Sequence, residues 1–370
     1  MVTQGRVLAY NARLCRGSPP MDKSLHLLID ALNLCGGQRL WFADEHVDPD
    51  ALALVRADAG LSVATHRCDV AARCKTAGLA VTLSDFVVPN AGASDAEAAA
   101  FDGIFLRVAK EKALVHHLIN TALEALPPGG TLWLAGEKNE GIRTYLDKAA
   151  ARAGTAPVLE RNGSALLGAV RRGATLGEPL PDQDYANMRR VAFSADFAAW
   201  SKPGIFGWQK IDAGSAFLIE HLGAAFRQPP RRVLDLGCGY GYLSLLAAQR
   251  WPEAEVVATD NNVAAVAACQ RNFAERAING TAVISDCADD GIEGRFGAVL
   301  CNPPFHQGFE VEGDLTLHFL RSARRRFARN GRALFVVNQF IPLERKAEPL
   351  FARVEVIARN PSFKLVLLEA

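Results

Sequence analysis

The chain of 370 residues lacks the features that mark several large classes of protein. Its eight cysteines form no Cys-x-x-Cys pair and no His-x-x-x-His accompanies them, which argues against a metal site. No run approaches the roughly 18 apolar residues of a membrane helix. The N-terminal segment also lacks the apolar core of a secretory signal. We therefore expect reduced thiols, no resident metal, no membrane partner and a cytoplasmic location.

An excess of charge of either sign is also missing. Charged residues make up 22% of the chain, the net charge is +1, and neither half is basic. A nucleic acid partner would therefore have to be captured by a local patch and not by bulk charge. The apolar fraction of 49% is that of an ordinary globular protein, and the length favours two domains.

The second half alternates short apolar runs with amphipathic segments, the pattern of strand–helix–strand units in a parallel sheet. The predicted strands are 231–236, 255–259, 281–285, 297–301 and 332–337, with a final hairpin of 353–357 and 363–368. The predicted helices are 242–250, 262–276 and 314–328.

The first half has a similar rhythm. Its predicted strands are 39–43, 61–65, 79–83, 102–106 and 131–135, with a helix at 113–126. The passage 101–137 can be laid over 296–338, since both read as a strand, a loop, a helix, a glycine turn and a strand. This indicates a duplicated domain, although α/β units in general look alike at this level.

Turn-forming residues without periodicity at 173–184 place the domain boundary there. We predict one domain at 1–178 and a second at 185–370. Residues 185–230 are predicted to be an irregular lead-in to the second domain.

A glycine-rich turn follows the first strand of the second half, in VLDLGCGYGYLS (233–244). Glycines there let the backbone turn sharply and approach a ligand closely. A dinucleotide-binding fingerprint would need its third glycine at position 242, which is Tyr242. The spacing therefore favours an adenosyl ligand without pyrophosphate. The residues predicted to bind it are Asp235, Gly237, Cys238, Gly239 and Gly241.

Two further acidic residues end the next two strands. Asp260, followed by Asn261, is placed to accept hydrogen bonds from both hydroxyls of a ribose. Asp286 is placed to meet the adenine amino group, and Cys287 beside it is predicted to be a small residue of the pocket and not a nucleophile. Either aspartate alone could be a helix cap, but their order along one α/β domain favours a cofactor site.

The loop after the fourth strand, LCNPPFHQG (300–308), carries the predicted chemistry. S-adenosylmethionine is a strong electrophile, so the harder task is to activate an amino nitrogen whose lone pair is delocalised. The side-chain oxygen of Asn302 and the carbonyl of Pro303 can accept its two N–H groups, and Pro304 stiffens the loop. Phe305 offers a face for a planar base. Asn302 is predicted to contact the cofactor as well, and His306 to contact the substrate and not to transfer a proton.

The motifs VLDLGCGYG, TDNN, ISD and CNPPFHQG together resemble those of class I methyltransferases. They are most similar to the RsmC/RlmG group of ribosomal RNA guanine-N2 methyltransferases. The segment PGIFGWQKIDAGSAFLIEHL (203–222) resembles the part of that family that packs over the cofactor pocket. This adds Phe206, Asp212 and Ser215 to the predicted substrate contacts. Stretches of the first half, 107–120 and 134–146, also resemble the family.

The resemblance implies an α/β protein of two tandem Rossmann-like methyltransferase domains with mostly parallel, doubly wound sheets. The N-terminal domain would be a degenerate copy without a cofactor site, serving RNA binding or folding. The cofactor would be S-adenosylmethionine, the partner ribosomal RNA or a ribosomal subunit, and a monomer is favoured.

The expected reaction is methylation of guanine N2, with 16S RNA favoured over 23S RNA. Similar Asn-Pro-Pro loops also serve adenine-N6 and protein glutamine methylation. A ribosome-assembly factor with vestigial activity is a further alternative. The predicted helix at 314–328 and the residue after it are rich in arginine, which suits either RNA contact or a solvated surface. These arginines are Arg321, Arg324, Arg325, Arg326 and Arg329.

Overall fold

The computed structural model describes residues 22–88, 101–304 and 309–370, with the backbone alone for 309–314. Two seven-stranded sheets follow each other along this part of the chain. Within each sheet the first five strands are parallel, and the last two pair antiparallel to their neighbours. The predicted α/β fold class with a duplicated, mostly parallel sheet is confirmed.

The first sheet and its helices occupy the N-terminal half. Its strands are β1 (Arg39–Phe42), β2 (Leu61–Thr65), β3 (Ala80–Leu83), β4 (Gly103–Arg107), β5 (Thr131–Glu137), β6 (Val158–Asn162) and β7 (Ala165–Arg171). Its helices are α1 (Lys23–Leu34), α2 (Pro49–Ala53), α3 (Cys68–Thr76), α4 (Lys112–Ala125) and α5 (Ile142–Ala153). The five predicted strands and the predicted helix all lie within a residue or two of observed elements.

The segment between the sheets is more regular than predicted. It contains the strands β8 (Arg189–Ala192) and β9 (Ala198–Ser201), and the helices α6 (Ala213–Glu220) and α7 (Leu222–Ala225). Strands β8 and β9 form a two-stranded antiparallel hairpin. The prediction of an irregular lead-in at 185–230 was therefore wrong in part. These short elements are stabilised by packing against the second sheet's core, which local sequence patterns do not reveal.

The second sheet occupies the C-terminal half. Its strands are β10 (Arg232–Leu236), β11 (Glu255–Asp260), β12 (Gly280–Ile284), β13 (Phe296–Cys301), β14 (Phe327–Asn338), β15 (Arg353–Arg359) and β16 (Phe363–Glu369). Its helices are α8 (Tyr242–Arg250), α9 (Val263–Glu275), α10 (Phe309–Arg326) and α11 (Leu343–Ala347). The strand order is β12-β11-β10-β13-β14-β16-β15, and the first sheet has the corresponding order β3-β2-β1-β4-β5-β7-β6.

Both faces of each sheet are buried. Along β10, Val233 packs into one core cluster, whereas Leu234 and Leu236 pack into another. This alternation follows from the two-residue period of a strand, and it explains why the central strands are apolar on both sides. The order of strands changes direction between β10 and β13, so a crevice forms at their carboxyl ends. Ligands of open α/β sheets bind in such a crevice.

A buried ionic cluster joins the two halves. Lys202, which follows β9 and is 1% exposed, forms an ion pair with Asp85, which follows β3. The ring of Tyr185 lies 3.7 Å from the Lys202 ammonium, and its hydroxyl donates to the Asp85 carboxylate at 3.1 Å. A lysine so deeply buried is stable as a cation only while an anion neutralises it.

We expect Asp85→Ala to lower the free energy of unfolding by about 3–5 kcal/mol, because it leaves the buried ammonium unpaired. Lys202→Met is the matched control and should cost less, since the carboxylate that it leaves behind is 25% exposed and can be hydrated. The midpoint of thermal unfolding measures both effects. Equal losses in the two variants would contradict the asymmetry.

Candidate active site

The glycine-rich turn lies at the carboxyl end of β10, as predicted. Gly237, Gly239 and Gly241 have φ angles of 78°, 54° and 95°, in the left-handed region that residues other than glycine rarely adopt. A Cβ added at Gly241 would lie 2.7 Å from the sulfur of Cys269. The amides of Gly237 and Cys238 donate to the Thr259 carbonyl, at 2.9 and 2.8 Å, and thereby tie the turn to β11.

Asp235 has a different place from the one expected. It is the penultimate residue of β10 and is 0% exposed, so its carboxyl does not line the crevice. One carboxylate oxygen accepts hydrogen bonds from the amide and the hydroxyl of Ser244, at 3.0 and 2.6 Å. Because Ser244 lies in the first turn of α8, Asp235 anchors this helix behind the glycine turn. Its other oxygen is buried and has no partner among the described residues.

Asp260 ends β11 and holds the glycine turn from the side. One carboxylate oxygen accepts from the Gly239 amide at 2.9 Å, and the other from the Asn262 amide at 3.0 Å. Burial raises the pKa of this carboxyl above its ordinary value. Each oxygen keeps a lone pair, so the predicted contact with two ribose hydroxyls is compatible with this geometry. Asn261, between the two, is half-buried.

The segment after β12 carries Asp286 and Cys287. Asp286 is half-buried, and burial raises the pKa of its carboxyl. Cys287 has a left-handed φ of 48°, which is unusual for a residue with a side chain. Its thiol is buried in a core cluster and its pKa is raised far above the ordinary value by burial, so it is inert. Any contact from Cys287 to a cofactor would therefore come from its backbone.

The loop after β13 places Asn302 beside α6. Its amide nitrogen donates to the carboxylate of Asp212 and to the hydroxyl of Ser215, both at 2.8 Å. Since a carboxylate only accepts hydrogen bonds, the nitrogen must face Asp212, and the amide oxygen faces the other way. The same Asp212 oxygen accepts from the Ser215 amide and caps α6. Among the described residues, nothing donates to the Asn302 oxygen.

One cleft brings these elements together. The predicted site residues that line it are Phe206, Asp212, Ser215, Gly237, Cys238, Gly239 and Asn302. Asp260 and Asp286 lie outside it at the ends of the neighbouring strands. Phe206 is 58% exposed at its rim. Pro303 is buried and Pro304 exposed, whereas Phe305 and His306 lie outside the described residues.

The cleft also contains residues that the sequence analysis missed. Tyr240 and Tyr242 line it together with Leu243 and Gly207. The Tyr240 hydroxyl is buried and has no hydrogen-bond partner in the part of the chain that the structure describes. Its position between two glycines of the turn was the available signal, since a large aromatic there must point either into the ligand crevice or into the core.

Two arginines of the arginine-rich helix bind a neighbouring loop of the protein. Arg326 donates to the carbonyls of Ala288, Asp289 and Ile292, and Arg325 pairs with the Asp289 carboxylate. These contacts hold the loop that follows Asp286. Arg325 and Arg326 are therefore engaged within the protein, and the choice between RNA contact and a solvated surface stays open for the helix.

The expectation of no resident metal stays a prediction. Possible ligand atoms of Asp286, Cys287 and His318 lie within 4.8 Å of one another. His318 already pairs with Asp289 at 2.6 Å, and the Cys287 thiol does not ionise readily.

No helix within residues 22–88, 101–304 and 309–370 has the length and apolarity that crossing a bilayer requires.

Comparison with known families divides the chain in the same order as the two sheets. The family described as "Methyltransferase small domain" matches residues 196–367, and the one described as "Methyltransferase small domain N-terminal" matches residues 34–156. The curated relatives include the ribosomal RNA small subunit methyltransferase C of Aeromonas hydrophila, 31% identical over 271 residues, which are 72% of this chain and 77% of the relative. The protein of that name from Chromohalobacter salexigens is 31% identical over 65% of this chain and 70% of its own.

A solved structure is similar over nearly the whole chain. It is the Thermus thermophilus 16S rRNA guanine-N2 methyltransferase RsmC in complex with AdoMet and guanosine. The TM-score is 0.78 at 25% sequence identity, and the match covers 94% of this chain and 92% of the other. The predicted tandem arrangement of two methyltransferase folds is confirmed.

The buried Asp235 predicts a specific dependence of stability on pH. Burial raises the pKa of its carboxyl to about 7, from 3.8 in the unfolded chain. Between these values the folded state holds a proton that the unfolded state has lost. The resulting stabilisation is complete below about pH 4 and is lost as the pH rises through about 7.

Asp235→Asn keeps a neutral acceptor for Ser244 and should remove this dependence. We expect the thermal midpoint of the variant, measured without added ligand, to exceed that of the unsubstituted protein increasingly from pH 5 to pH 8. The exposed Asp50→Asn serves as control and should leave the profile unchanged. Parallel profiles for Asp235→Asn and the unsubstituted protein would show that Asp235 is ionised throughout.

Proposed function

Because the chain belongs to the ribosomal RNA small subunit methyltransferase C family, we propose that it transfers a methyl group from S-adenosylmethionine to N2 of a guanine in 16S ribosomal RNA. The observation that carries this proposal is the orientation of Asn302. Its amide oxygen is directed away from Asp212 in the same cleft that the glycine turn lines. A cytoplasmic location, where ribosomal RNA is made and assembled in bacteria, belongs to the same proposal.

The residues at the strand ends fit an adenosyl cofactor. Gly239 lines the cleft, and a Cβ there would already be in van der Waals contact with the Phe206 carbonyl oxygen, at 3.7 Å. Asp260 keeps lone pairs for the ribose, and Asp286 lies one strand further out, where the adenine is expected. The bound cofactor supplies a methyl group on an electrophilic sulfur.

Asn302 and Pro303 prepare the nucleophile. Two acceptors aimed at the N–H groups of guanine N2 hold the nitrogen in line with the methyl group and favour pyramidal geometry. The Asn302 oxygen is preorganised because Asp212 and Ser215 both bind the amide nitrogen of the same side chain. When bound, the cofactor would supply the methyl group in exchange for the bond to its own sulfur. The acceptor nitrogen, held by the oxygens of Asn302 and Pro303, would then lose one proton to solvent.

The target guanine has to leave its base stack to reach Asn302. Phe206, exposed at the rim of the cleft, offers an aromatic face for the extruded base. Phe305 remains a second candidate for the same role. The unpaired hydroxyl of Tyr240 is a hydrogen-bond donor available to the cofactor or the base.

For the N-terminal half, 1–178, we propose a supporting role without a cofactor site. The position that corresponds to Asn302 is Arg107, which is buried and paired with Asp22 at 2.5 Å and Glu140 at 2.8 Å. These ion pairs lie at the strand end that corresponds to the position of Asn302 in the catalytic half, 185–370. We propose that this half holds RNA or supports the fold of the second half.

The reaction is tested by incubating the protein with methyl-labelled S-adenosylmethionine and unmodified 16S RNA, free and in assembled subunits. We expect label in N2-methylguanosine after digestion to nucleosides. Asn302→Ala should lower kcat by about 100- to 1,000-fold, as loss of one oriented group at a reacting centre does elsewhere. Binding of S-adenosylhomocysteine should largely persist. Label in N6-methyladenosine would overturn the assignment of the base, and full activity of Asn302→Ala would overturn the mechanism.

Asp212→Asn tests the orientation of the Asn302 amide separately. Asparagine caps helices about as well as aspartate, so α6 should persist. An amide at 212 no longer forces the Asn302 nitrogen toward it, and we expect kcat to fall about tenfold, the equivalent of one hydrogen bond. The control is Asp48→Asn, which changes the cap of α2 in the other half. Similar activities of the two variants would contradict the proposed orientation.

A further inference from the structure

The two halves meet directly beside Asp260, the residue proposed to bind the ribose. Residues 66–68 of the N-terminal half pair with residues 261–263 of the C-terminal half in a short antiparallel bridge. The Cys68 amide donates to the Asn261 carbonyl and the Val263 amide donates to the His66 carbonyl, both at 2.9 Å. Asp260, which we propose to bind the ribose, is adjacent to this bridge.

The paired residues occupy corresponding positions in the duplicated folds. Arg67 is the cap residue of α3 after β2, and Asn262 is the cap residue of α9 after β11. Strand β2 lies next to β1 in the first sheet, as β11 lies next to β10 in the second. Residues 261–263 of the second half therefore pair with the corresponding residues 66–68 of the first half. This resembles a symmetric dimer, in which the same surface of each subunit meets its equivalent.

The counterpart brings a positive charge to this loop. The Arg67 side chain is 22% exposed and forms a two-point ion pair with Asp69, at 3.1 Å for each contact. Burial lowers the pKa of the neighbouring His66 to about 4, so this ring is neutral. Arg67 therefore supplies the charge. It attracts the Asp260 carboxylate and opposes the rise in its pKa that burial causes.

We infer that the N-terminal half forms part of the cofactor site: residues 66–69 wall the ribose end, and Arg67 positions Asp260 for the ribose hydroxyls. This inference rests on the proposed function and adds a binding role to the half that lacks a cofactor site of its own. Arg67 is a positioning residue, because it acts on the ligand through Asp260. Asp69 holds the arginine in place, and it also pairs at 2.7 Å with Arg73, four residues further along α3.

The test measures the dissociation constant of S-adenosylhomocysteine by titration calorimetry, with the full-length protein and without RNA. Arg67→Gln should raise this constant about tenfold, within the range of coupling found for groups of one charged network. Arg67→Lys should restore part of the affinity. Arg73→Gln is the matched control, since it also removes an arginine from Asp69, and it should leave the affinity unchanged.

A double-mutant cycle decides whether Arg67 acts through Asp260. In an Asp260→Asn background, Arg67→Gln should cause no further loss of affinity. In methylation assays, the single substitution Arg67→Gln should raise the KM for S-adenosylmethionine while leaving kcat and the KM for RNA unchanged. Thermal unfolding of each variant separates this effect from loss of the fold.

Three results would overturn the inference. They are equal effects of Arg67→Gln in both backgrounds, equal effects of Arg67→Gln and Arg73→Gln, and a change in the KM for RNA alone, which would make Arg67 an RNA contact. If the unsubstituted protein binds S-adenosylhomocysteine but methylates no RNA, the proposed reaction fails and the cycle still decides the role of Arg67. If it binds none, both proposals fail together.

Discussion

The arrangement of the site depends on the hydrogen bonds that the Asp260 carboxylate accepts. It ends a parallel strand, and its two oxygens accept from the amides of Gly239 and Asn262. The first contact holds the glycine turn, and the second holds the start of α9. Asn262 in turn pairs with Arg67 of the other half. One charged group thus joins the cofactor turn, the next helix and the domain contact, and it still has lone pairs for a ligand.

The duplicated fold offers two corresponding crevices, and the proposed function uses one of them. Both sheets reverse their strand order at corresponding points, and each could form a ligand site there. In the first half the position that corresponds to Asn302 is Arg107, which is buried and paired with Asp22 and Glu140. Removing these partners would be costly, because it would leave a buried guanidinium unpaired. We propose that the first half supports the second, and the ion pair of Lys202 and Asp85 joins the two.

In the proposed mechanism, catalysis depends on the orientation of Asn302 more than on acid–base strength. Asn302 has no charge and no useful pKa, so its contribution lies in the direction of its oxygen. That direction follows from Asp212, which can only accept, and from the helix that Asp212 caps. The proposed acceptors are therefore in place before the base arrives, and little reorganisation is needed at the moment of transfer.

The sequence by itself determined the fold class, the strand ends and the short motifs around Gly239, Asp260 and Asn302. These depend on local rules, since a glycine turn, a strand period and the edge shared by parallel strands can all be read from neighbouring residues. Only the tertiary structure decided that the Asp235 carboxyl binds Ser244 of a helix, that Asp212 orients Asn302 across 90 residues of chain, and that Arg67 pairs with Asn262 beside Asp260. Hydrogen bonds and charges between distant segments depend on how the elements pack, and no periodicity in the chain encodes that packing.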